Sequence, residues 1–402
     1  MPKSTFFTGQ PVFSQLLNLI PRHLIAEAAN KNQSNHYYKK FKAYDHLVAM
    51  LYACFHRCTS IREVVTGMQA NHNKLSHLGV TTFPKRSTFA EANGARDATF
   101  FEQLYHSLYH HYFKILPDSR KKNNVESRLF LMDSTTITLF TDIMKAAGCP
   151  AADGRKKGGA KAHVLLNAQQ DIPTLVKLSA SARNDRTFMP DIKLPEGSIL
   201  VFDKGYHHFA RWQKWSEQKI TWVTRLIDRE AVEVLEDRVI DEQEKAKGVG
   251  GDQLIILGKG TNKNTLRITV RLIKYYDAAS QKTFYFLTNN NKFKASTIAG
   301  FYHRRWQIEL FFKRFKQHNP LKYFLGDNEN AIKIQIWCAF IADLLVKIVK
   351  DMLKKKWSFA NLSALIKHHL MTYLHLVRFL NDPDKIDMAE PRHTALPSLF
   401  AT

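Results

Sequence analysis

The chain has 402 residues, of which 45% are apolar and 24% charged, a balance that excludes a disordered or fibrous protein. Lys and Arg number 59 against 36 Asp and Glu, so the net charge of +23 indicates a polyanionic partner such as nucleic acid. A merely basic soluble protein is the alternative explanation of this charge. No stretch reaches the ~18 apolar residues of a membrane span, and the first residues lack a signal-peptide pattern, so we predict a cytoplasmic protein without membrane contact.

Residues 1–122 predict a helical N-terminal domain. Apolar periodicity indicates helices over 12–29, 46–58 and 61–68 and from about 87. The segment that begins at Thr59 has the pattern of a capped helix start. Lys85, Arg86 and Arg96 surround the last helix, which is compatible with a helix-turn-helix motif that binds DNA. A plain helical scaffold is the alternative.

The four cysteines fit a reducing compartment. Cys54 and Cys58, with His56 between them, have a spacing that also occurs in zinc sites. No second ligand pair follows at a suitable distance, and both cysteines lie in an apolar helical run. We therefore predict buried thiols.

An α/β core is predicted to begin at residue 123 and to continue to 226. Its strands are predicted over 128–133, 160–167, 172–180, 198–203 and 220–226, and the second and third form a hairpin. Two of these strands end on an acid, Asp133 and Asp203. Open α/β sheets form their sites at the carboxyl edge of the strands, although an acid at a strand end often only caps the next turn.

The remainder of the chain divides into three further segments. Residues 227–282 predict a β-rich insertion beside the core, and 283–345 predict the second part of the core, with a strand over 282–288 and a helix that carries an acid. Residues 346–402 predict a C-terminal helical region, for which we consider a role in dimerisation.

The acid-bearing helix is predicted over 302–316. At 100° per residue, Arg305, Glu309 and Lys316 fall within about 40° of one another, next to Tyr302. An adjacent apolar stripe can pack this helix on the sheet; it consists of Phe301, Ile308, Phe312 and Phe315. The alternative is an amphipathic helix with solvated charges and an intrahelical Arg305–Glu309 pair.

Three carboxylates from two strands and a helix suit two Mg²⁺ ions, because hard cations take oxygen ligands. A metal pair can stabilise both the attacking and the leaving oxygen of a displacement at phosphorus. Mn²⁺ is expected to substitute for Mg²⁺. Cations beside such a site suit a phosphate backbone, which Arg can contact in a bidentate way; the nearby ones are Arg304, Lys313 and Lys204.

The segment Tyr-x2-Arg-x3-Glu-x6-Lys, which comprises Tyr302, Arg305, Glu309 and Lys316, resembles the Y-R-E-K signature of insertion-sequence transposases of family four. These enzymes have a ribonuclease-H-like catalytic core. The segments 132–136 and 202–206 resemble their first and second acid motifs, in the same order. The N-terminal helices resemble the leader domain that is common in this group.

The resemblance implies a role for each matching residue. Asp133, Asp203 and Glu309 are expected to bind the metal ions. Tyr302, Arg305 and Lys316 are expected to contact the terminal phosphates of the transposon DNA. Trp306 matches an aromatic residue that helps to hold a flipped base. A second aromatic residue of this kind is expected on the strand before the helix, where the chain offers Phe284 and Tyr285. Lys161 and His163 are candidates for further DNA contacts beside Asp133.

The resemblance also implies a reaction and partners. The protein is expected to perform cut-and-paste transposition through a hairpin intermediate, as a homodimer in the synaptic complex on double-stranded DNA, in the bacterial cytoplasm. Its DNA partners are expected to be the terminal inverted repeats and the target. Two alternatives remain: a ribonuclease-H-like nuclease such as a resolvase, and a catalytically inactive DNA-binding descendant of a transposase. Asp185 is a rival acid that fits a helix cap better, and His207 and His208 are expected in a solvated loop.

Overall fold

The N-terminal helices precede the sheet in a computed structural model of the protein. This structure describes residues 9–80, 84–113, 125–138, 149–150, 156–157, 159–180, 185–228, 230–258 and 267–384. The N-terminal helices are α1 Val12–Leu17, α2 Arg22–Lys31, α3 Ala43–His56, α4 Ile61–Ala70, α5 Arg86–Ala95 and α6 Thr99–Phe113. Pro21 separates the first two, so the helix predicted over 12–29 is wrong as one continuous element, because proline restricts the residue before it and starts a new helix well.

Two details of the N-terminal region bear on its predicted role. The hydroxyl of Ser60 accepts a hydrogen bond from the Glu63 backbone at 3.2 Å, and the Glu63 carboxylate accepts one from Thr59 N at 2.7 Å, which confirms the predicted capped start. Arg86 is exposed, but Arg96 is only 2% exposed. Arg96 therefore does not belong to an exposed basic group around that helix, because its guanidinium is hydrogen-bonded inside the helical domain.

One sheet of nine strands runs through the catalytic core. Its strands, in chain order, are β1 Leu129–Thr138, β4 Gly159–Asn167, β5 Ile172–Ala180, β6 Ile199–Phe202, β7 Thr221–Arg225, β8 Val232–Asp237, β9 Val249–Leu257, β10 Ile268–Asp277 and β11 Lys282–Thr288. Two further strands, β2 Cys149–Pro150 and β3 Lys156–Lys157, form a separate pair. The order across the sheet is β5-β4-β1-β6-β7-β11-β10-β9-β8, in which β1, β6 and β7 are parallel neighbours. The first five strands of this order have the ribonuclease-H-like arrangement, as predicted.

The first acid does not lie at the end of its strand. β1 continues five residues beyond Asp133, because the β-branched segment that follows pairs with β4 as far as Thr138 opposite Gly159. The parallel partner β6, in contrast, ends with Phe202 opposite Met132. The prediction of a strand end at Asp133 is thus wrong, but Asp133 does lie where the neighbouring strand ends.

The strands within 227–282 extend the core sheet. β11 pairs with the core strand β7, and β10, β9 and β8 follow outward in antiparallel order. The short helix α8 Glu242–Ala246 lies between β8 and β9. The described part of this segment is therefore β-rich and continuous with the catalytic sheet through main-chain hydrogen bonds.

Both faces of the sheet are covered. We call the face that carries Val201 the first face and the face that carries Leu200 the second face. The second face packs on α7 Phe209–Glu217, with Trp212, Trp215 and Trp222 fully buried. The first face packs on α9 Ala295–His303, α10 Trp306–His318 and α11 Glu329–Met352. Of the last two helices, α12 Phe359–His369 and α13 Leu376–Asn381, the first packs on α3 and α11. The long helix α11 crosses the predicted boundary at 345, so that boundary does not coincide with the end of an element. None of the described helices is long and apolar enough to span a membrane.

The helix predicted over 302–316 consists of two helices. Arg304 and Arg305 join α9 to α10 through a tighter turn, in which Arg305 N donates to Tyr302 O at 2.9 Å and Ile308 N donates to Arg305 O at 3.1 Å. These bonds span three residues and not four, so the helix winds more tightly there. The predicted apolar stripe is buried, with Ile308 and Phe315 at 0% exposure.

Candidate active site

Strand alternation brings three charged residues onto one face of the sheet. Leu131, Val201 and Val223 lie in one row across the three parallel strands and are buried. Side chains two residues apart point to the same face of a strand. Two residues further along, the three strands lead to Asp133, Asp203 and Arg225. These side chains therefore lie on the same face of the sheet, which α9 and α10 cover.

Arg305 connects the first acid to the helix. Its Nη1 lies 3.5 Å from Asp133 Oδ2, and its Nη2 lies 2.5 Å from Glu309 Oε1. The side chain of Arg305 is 14% exposed, that of Asp133 21% and that of Glu309 34%, so the group is partly desolvated. Burial alone would lower the pKa of Arg305, but Tyr302 and the two carboxylates outweigh it and raise the pKa. Arg305 therefore stays charged.

Asp203 has its own set of partners on the same face. Arg225 Nη2 donates to Asp203 Oδ1 at 3.0 Å, and the Tyr302 hydroxyl donates to the same oxygen at 3.3 Å. Burial would raise the pKa of Asp203, but the hydrogen bond from Arg225 and the charges of Arg225 and Arg305 outweigh it, so the pKa is lowered. Burial raises the pKa of Tyr302 to about 12, so its phenol remains a proton donor.

Asp133 differs from Asp203 in its electrostatics. Its pKa is raised to about 6, first by burial and to a smaller extent by the nearby carboxylates of Asp203 and Glu309, while the Ser134 amide and Arg305 act to lower it. The Ser134 amide donates to Asp133 Oδ1 at 2.8 Å. The three carboxylates thus interact electrostatically, and Arg305 and the Ser134 amide do not fully stabilise the charged form of Asp133.

This donor set fits a hard divalent cation. Three carboxylates offer oxygen ligands, and a cation would offset the negative charge that Asp203 and Glu309 place beside Asp133. Within the described part of the chain, no group of three His, Cys, Asp or Glu side chains is arranged as a complete metal site. Arg305 bridges Asp133 and Glu309 instead. Cys54 and Cys58 are buried and free, as predicted.

The predicted cations of the site lie on three elements. Lys316 donates from Nζ to the Thr136 backbone oxygen at 2.8 Å, on the part of β1 beyond Asp133. Lys313 is exposed on the same helix, and Arg304 is half-buried at the turn before it. Lys204 follows Asp203 and pairs with Asp228 at 3.3 Å.

An open cleft with aromatic walls adjoins the carboxylates. Its volume is about 560 Å³, and Tyr302, Arg305 and Arg225 belong to both the cleft and the carboxylate cluster. Its other walls include Tyr275, Asp277, Phe284, Phe286, His303 and Trp306. Trp306 is 57% exposed at the cleft. The volume and the aromatic lining suit a planar base.

Of the two aromatic candidates on β11, only Phe284 lines the cleft. Its ring stacks on Phe286 with centroids 6.0 Å apart, and Phe286 lies 4.9 Å from the ring of Tyr302. Tyr285 points to the opposite face of the sheet by strand alternation, and it is 42% exposed there. The structure thus distinguishes the two residues that the sequence left equivalent.

The two candidates on β4 do not join the cluster. His163 is fully buried, donates to or accepts from Ser179 Oγ at 2.8 Å and stacks on Phe188. Its predicted contact with DNA is wrong, because the side chain is buried in the apolar core on the second face of the sheet. Lys161 is opposite Thr136 and half-buried, on the face of the sheet away from Asp133.

The remaining polar candidates have local roles. His207 lies 2.6 Å from Glu230, and His208 caps α7 by accepting from Arg211 N at 3.3 Å. The helix predicted after residue 184 is a 3₁₀ helix, Asp185–Asp191. The side chain of Asp185 and residue 184 lie outside the described residues.

Sequence reasoning missed Arg225. This residue ends the strand next to Asp203 and supplies the closest cation to that acid. An arginine at the end of an apolar strand that follows the second acid motif was a usable signal. Arg225 lies beside Asp203 only because β6 pairs with β7 in parallel, and this pairing cannot be predicted from local sequence signals.

Comparison with known proteins assigns two segments of the chain to families. Residues 125–345 match the family described as Transposase DDE domain, and residues 8–81 match the Domain of unknown function (DUF4372). The first match includes all three carboxylates. This family match and the fold define the class of the protein, a DDE-type transposase with a ribonuclease-H-like core. The chain belongs to the Transposase DDE domain family, and it is a DDE transposase of the insertion-sequence type.

Individual relatives have corresponding names. "Putative transposase y4zB" of Sinorhizobium fredii is 31% identical over 267 residues, which cover 66% of this chain and 71% of the relative. "Probable transposase for insertion sequence element IS5377" of Geobacillus stearothermophilus is 26% identical over 59% of this chain and 61% of the relative. The solved piggyBac transposase synaptic complex with hairpin DNA is similar with a TM-score of 0.40 at 10% identity, covering 94% of this chain and 81% of that chain.

Proposed function

We propose that the protein catalyses cut-and-paste transposition of an insertion sequence by hydrolysis and strand transfer at the ends of the element. One observation carries the proposal: two strands and a helix bring Asp133, Asp203 and Glu309 together around Arg305. In this reaction water attacks a phosphodiester at each end, and the freed 3′-OH later attacks target DNA. By its resemblance to relatives with the same signature, we also propose a hairpin intermediate.

Asp133, Asp203 and Glu309 would hold the divalent cations, for which we propose two Mg²⁺ ions, with Mn²⁺ as a substitute. Bound there, the ions would supply activation of the attacking oxygen and stabilisation of the leaving oxygen. The chain's own part is to fix the three carboxylates on rigid strands and a packed helix. It also keeps them in a partly desolvated setting, where electrostatic interactions are stronger.

Two guanidinium groups lie beside the carboxylates, where the scissile phosphate would enter. The Cζ atoms of Arg305 and Arg225 lie 5.7 Å and 5.5 Å from the centre of the Tyr302 ring, on the same face as the acids. A phosphate that enters would meet both arginines, and each offers paired N–H donors. We propose that Tyr302 orients them and that Lys316, Lys313, Arg304 and Lys204 contact neighbouring phosphates.

The aromatic cleft would hold a flipped base near the end of the element. Phe284 and Trp306 offer stacking surfaces, and their cleft shares three residues with the carboxylate cluster. Stacking on an aromatic side chain is worth about 1–3 kcal/mol per base, which offsets part of the cost of unstacking. A base extruded from the end relieves the duplex constraint, so the 3′-OH can reach the opposite strand and form a hairpin.

We further propose the larger assembly that this reaction needs. Two element ends must be joined in one complex, so the protein would act as a homodimer on DNA, with the C-terminal region 346–402 contributing contacts. The helical domain 1–122 would bind DNA, which its exposed basic residues support. The proposed location is the bacterial cytoplasm.

The test is metal-dependent cleavage of a duplex that carries the inverted repeat flanking the reading frame. Asp133→Asn, Asp203→Asn and Glu309→Gln should each lower the cleavage rate by about 10²-fold or more, as loss of a key electrostatic group does in other enzymes. These substitutions keep the shape of the side chain, so binding of the end should persist. Glu217→Gln is the matched control, because Glu217 is an exposed acid at the end of α7, on the other face of the sheet.

Cleavage at the wild-type rate by any of the three variants would remove that residue from the site. Joining of the cleaved end to a plasmid separates a transposase from a resolvase-like nuclease, which would cut without joining. A wild-type chain that binds ends but never cuts them would support the inactive alternative.

A further inference from the structure

A loop in the N-terminal region has a chemistry that the catalytic site does not use. It comprises residues 34–42 between α2 and α3, and we refer to it as the basic loop. Most of its side chains are exposed: Asn35, His36, Tyr37, Lys39, Lys40 and Lys42. It contains no acidic residue. Among the ion pairs of the described residues, none involves Lys39 or Lys40.

A buried arginine holds the basic loop in one shape. Arg96 donates from Nε to the Ser34 backbone oxygen at 2.9 Å and from Nη2 to the Phe41 backbone oxygen at 2.7 Å. Its Cζ also lies 4.0 Å from the centre of the Tyr38 ring. Arg96 itself is only 2% exposed. A desolvated cation thus fixes both ends and the middle of the loop, so the exposed residues are presented on a defined surface.

Tyr37 occupies an unusual conformation at the tip of this loop. Its side chain is 91% exposed, and its φ of 65° lies in the left-handed region, which bulky residues rarely adopt. The ring of His36 lies 3.8 Å from that of Tyr37, centre to centre. Strained backbone persists where the surrounding structure enforces it, and it concentrates at functional sites. Core packing cannot explain a tyrosine that is almost fully exposed.

We propose that the basic loop is a contact surface for the backbone of double-stranded DNA. Lys39, Lys40 and Lys42 would pair with phosphates, and the Tyr37 hydroxyl would donate to a phosphate oxygen, a contact that tyrosine commonly makes. Charge complementarity favours DNA, since every charged residue of the loop is basic and the chain has a net charge of +23. The inference rests on the proposed function only in that the chain acts on DNA. It assigns that contact to this loop, and not to a helix-turn-helix motif.

The test compares two charge-matched double variants. Affinity for a fluorescent duplex is measured between about 50 and 200 mM salt, where phosphate contacts weaken steeply. Lys39→Gln with Lys40→Gln should lower the slope of log affinity against log salt by about 1.8, since each contact contributes about 0.9. Lys193→Gln with Lys214→Gln removes the same charge from two exposed lysines that have no proposed role in DNA binding, and should leave the slope unchanged. Thermal melts check that both variants are folded.

Tyr37→Ala provides a second readout. Because tyrosine is neutral, its loss should lower the affinity by about 2- to 10-fold at every salt concentration, the range of one hydrogen bond, without changing the slope. Equal slopes in the two lysine variants, or an unchanged slope for Lys39→Gln with Lys40→Gln, would overturn the inference while leaving the transposase proposal intact. A wild-type chain that binds no duplex would instead overturn the proposed function itself.

Discussion

Asp133 and Asp203 lie in neighbouring positions of one row, yet the pKa values of their carboxyl groups shift in opposite directions. Burial dominates at Asp133 and raises its pKa to about 6. At Asp203 burial also acts to raise the pKa, but the hydrogen bond and charge of Arg225, together with the charge of Arg305, outweigh it and lower the pKa. The difference follows from the partners, since Arg305 lies 3.5 Å from Asp133 but Arg225 lies 3.0 Å from Asp203. The site therefore combines one well-compensated acid with one poorly compensated acid.

This contrast predicts a pH dependence of stability for the metal-free protein. Between about pH 4 and 6 the folded state binds a proton at Asp133 that the unfolded state has already released, so the contribution of this group to stability falls as pH rises. The free energy of unfolding of the wild type, minus that of Asp133→Asn, should decrease over this window by up to about 3 kcal/mol. Urea denaturation of both proteins at several pH values measures it. A difference that does not vary with pH would contradict the shift.

Adjacent residues on β11 allow a second prediction at the residue scale. Phe284→Ala should weaken end binding by about 1–3 kcal/mol and slow hairpin formation, because the cleft would lose one stacking surface. Tyr285→Ala is the matched control, since Tyr285 points to the other face and should leave both unchanged. Gel analysis of hairpins on the end duplex provides the measurement. Equal effects of the two substitutions would mean that Phe284 does not stack on a base.

At the scale of elements, the insertion strands hold the start of the helix pair that carries the signature. Glu244 on α8 accepts from Ser296 N and Oγ, both at 2.7 Å, in the first turn of α9. Arg271 on β10 donates to Asp252 on β9 and to the backbone oxygens of Asn290 and Phe293 before that helix. The insertion is thus connected to Tyr302 and Arg305 through a rigid helix, in addition to its place in the sheet.

The Arg271–Asp252 pair gives a stability prediction for this connection. Both side chains are under 9% exposed, so Asp252→Ala would leave a buried, uncompensated guanidinium and should cost about 3–5 kcal/mol. Replacing both residues with apolar ones, Asp252→Leu with Arg271→Met, should be much milder than the single substitution, because no charge is left unpaired. Chemical denaturation of the single and double variants decides this. A double variant as unstable as the single one would show that the backbone contacts of Arg271 matter more.

The sequence predicted those elements whose signals are local. The hairpin of β4 and β5, the apolar strand before Asp203 and the buried stripe with Ile308 and Phe315 all follow from periodicity and turn residues. It did not predict that β1 continues past Asp133, because that length depends on pairing with β4. The order of the sheet, which makes Arg225 the partner of Asp203, is non-local in the same way. The turn at Arg304 has no proline or glycine to indicate it.

At the scale of the whole molecule, one apolar core joins segments that the sequence separates into domains. The core on the first face of the sheet continues from Val12 through Leu131 and Val201 to Leu380. The helix α11 contacts N-terminal helices α3, α5 and α6 and the C-terminal helix α12. Arg314 adds a polar link, since it pairs with Asp171 in the β4–β5 turn and with Asp343 on α11. The N-terminal helices therefore cover a surface that would otherwise be exposed on the catalytic core.

This shared core predicts a single cooperative unfolding transition. Trp337 lies in the core on the first face, and Trp212, Trp215 and Trp222 lie in the core on the second face. In a variant that keeps Trp337 as its one tryptophan, the tryptophan fluorescence reports on the first core. In a second variant, which combines Trp337→Phe, Trp306→Phe and Trp357→Phe, the fluorescence reports on the second core. Their urea midpoints, each compared with circular dichroism of the same variant, should coincide, because the sheet transmits loss of packing from one face to the other. Tryptophan transitions that separate from the loss of secondary structure would mean that the N-terminal helices and the sheet fold as independent units, and the catalytic segment could then be expressed without residues 9–113.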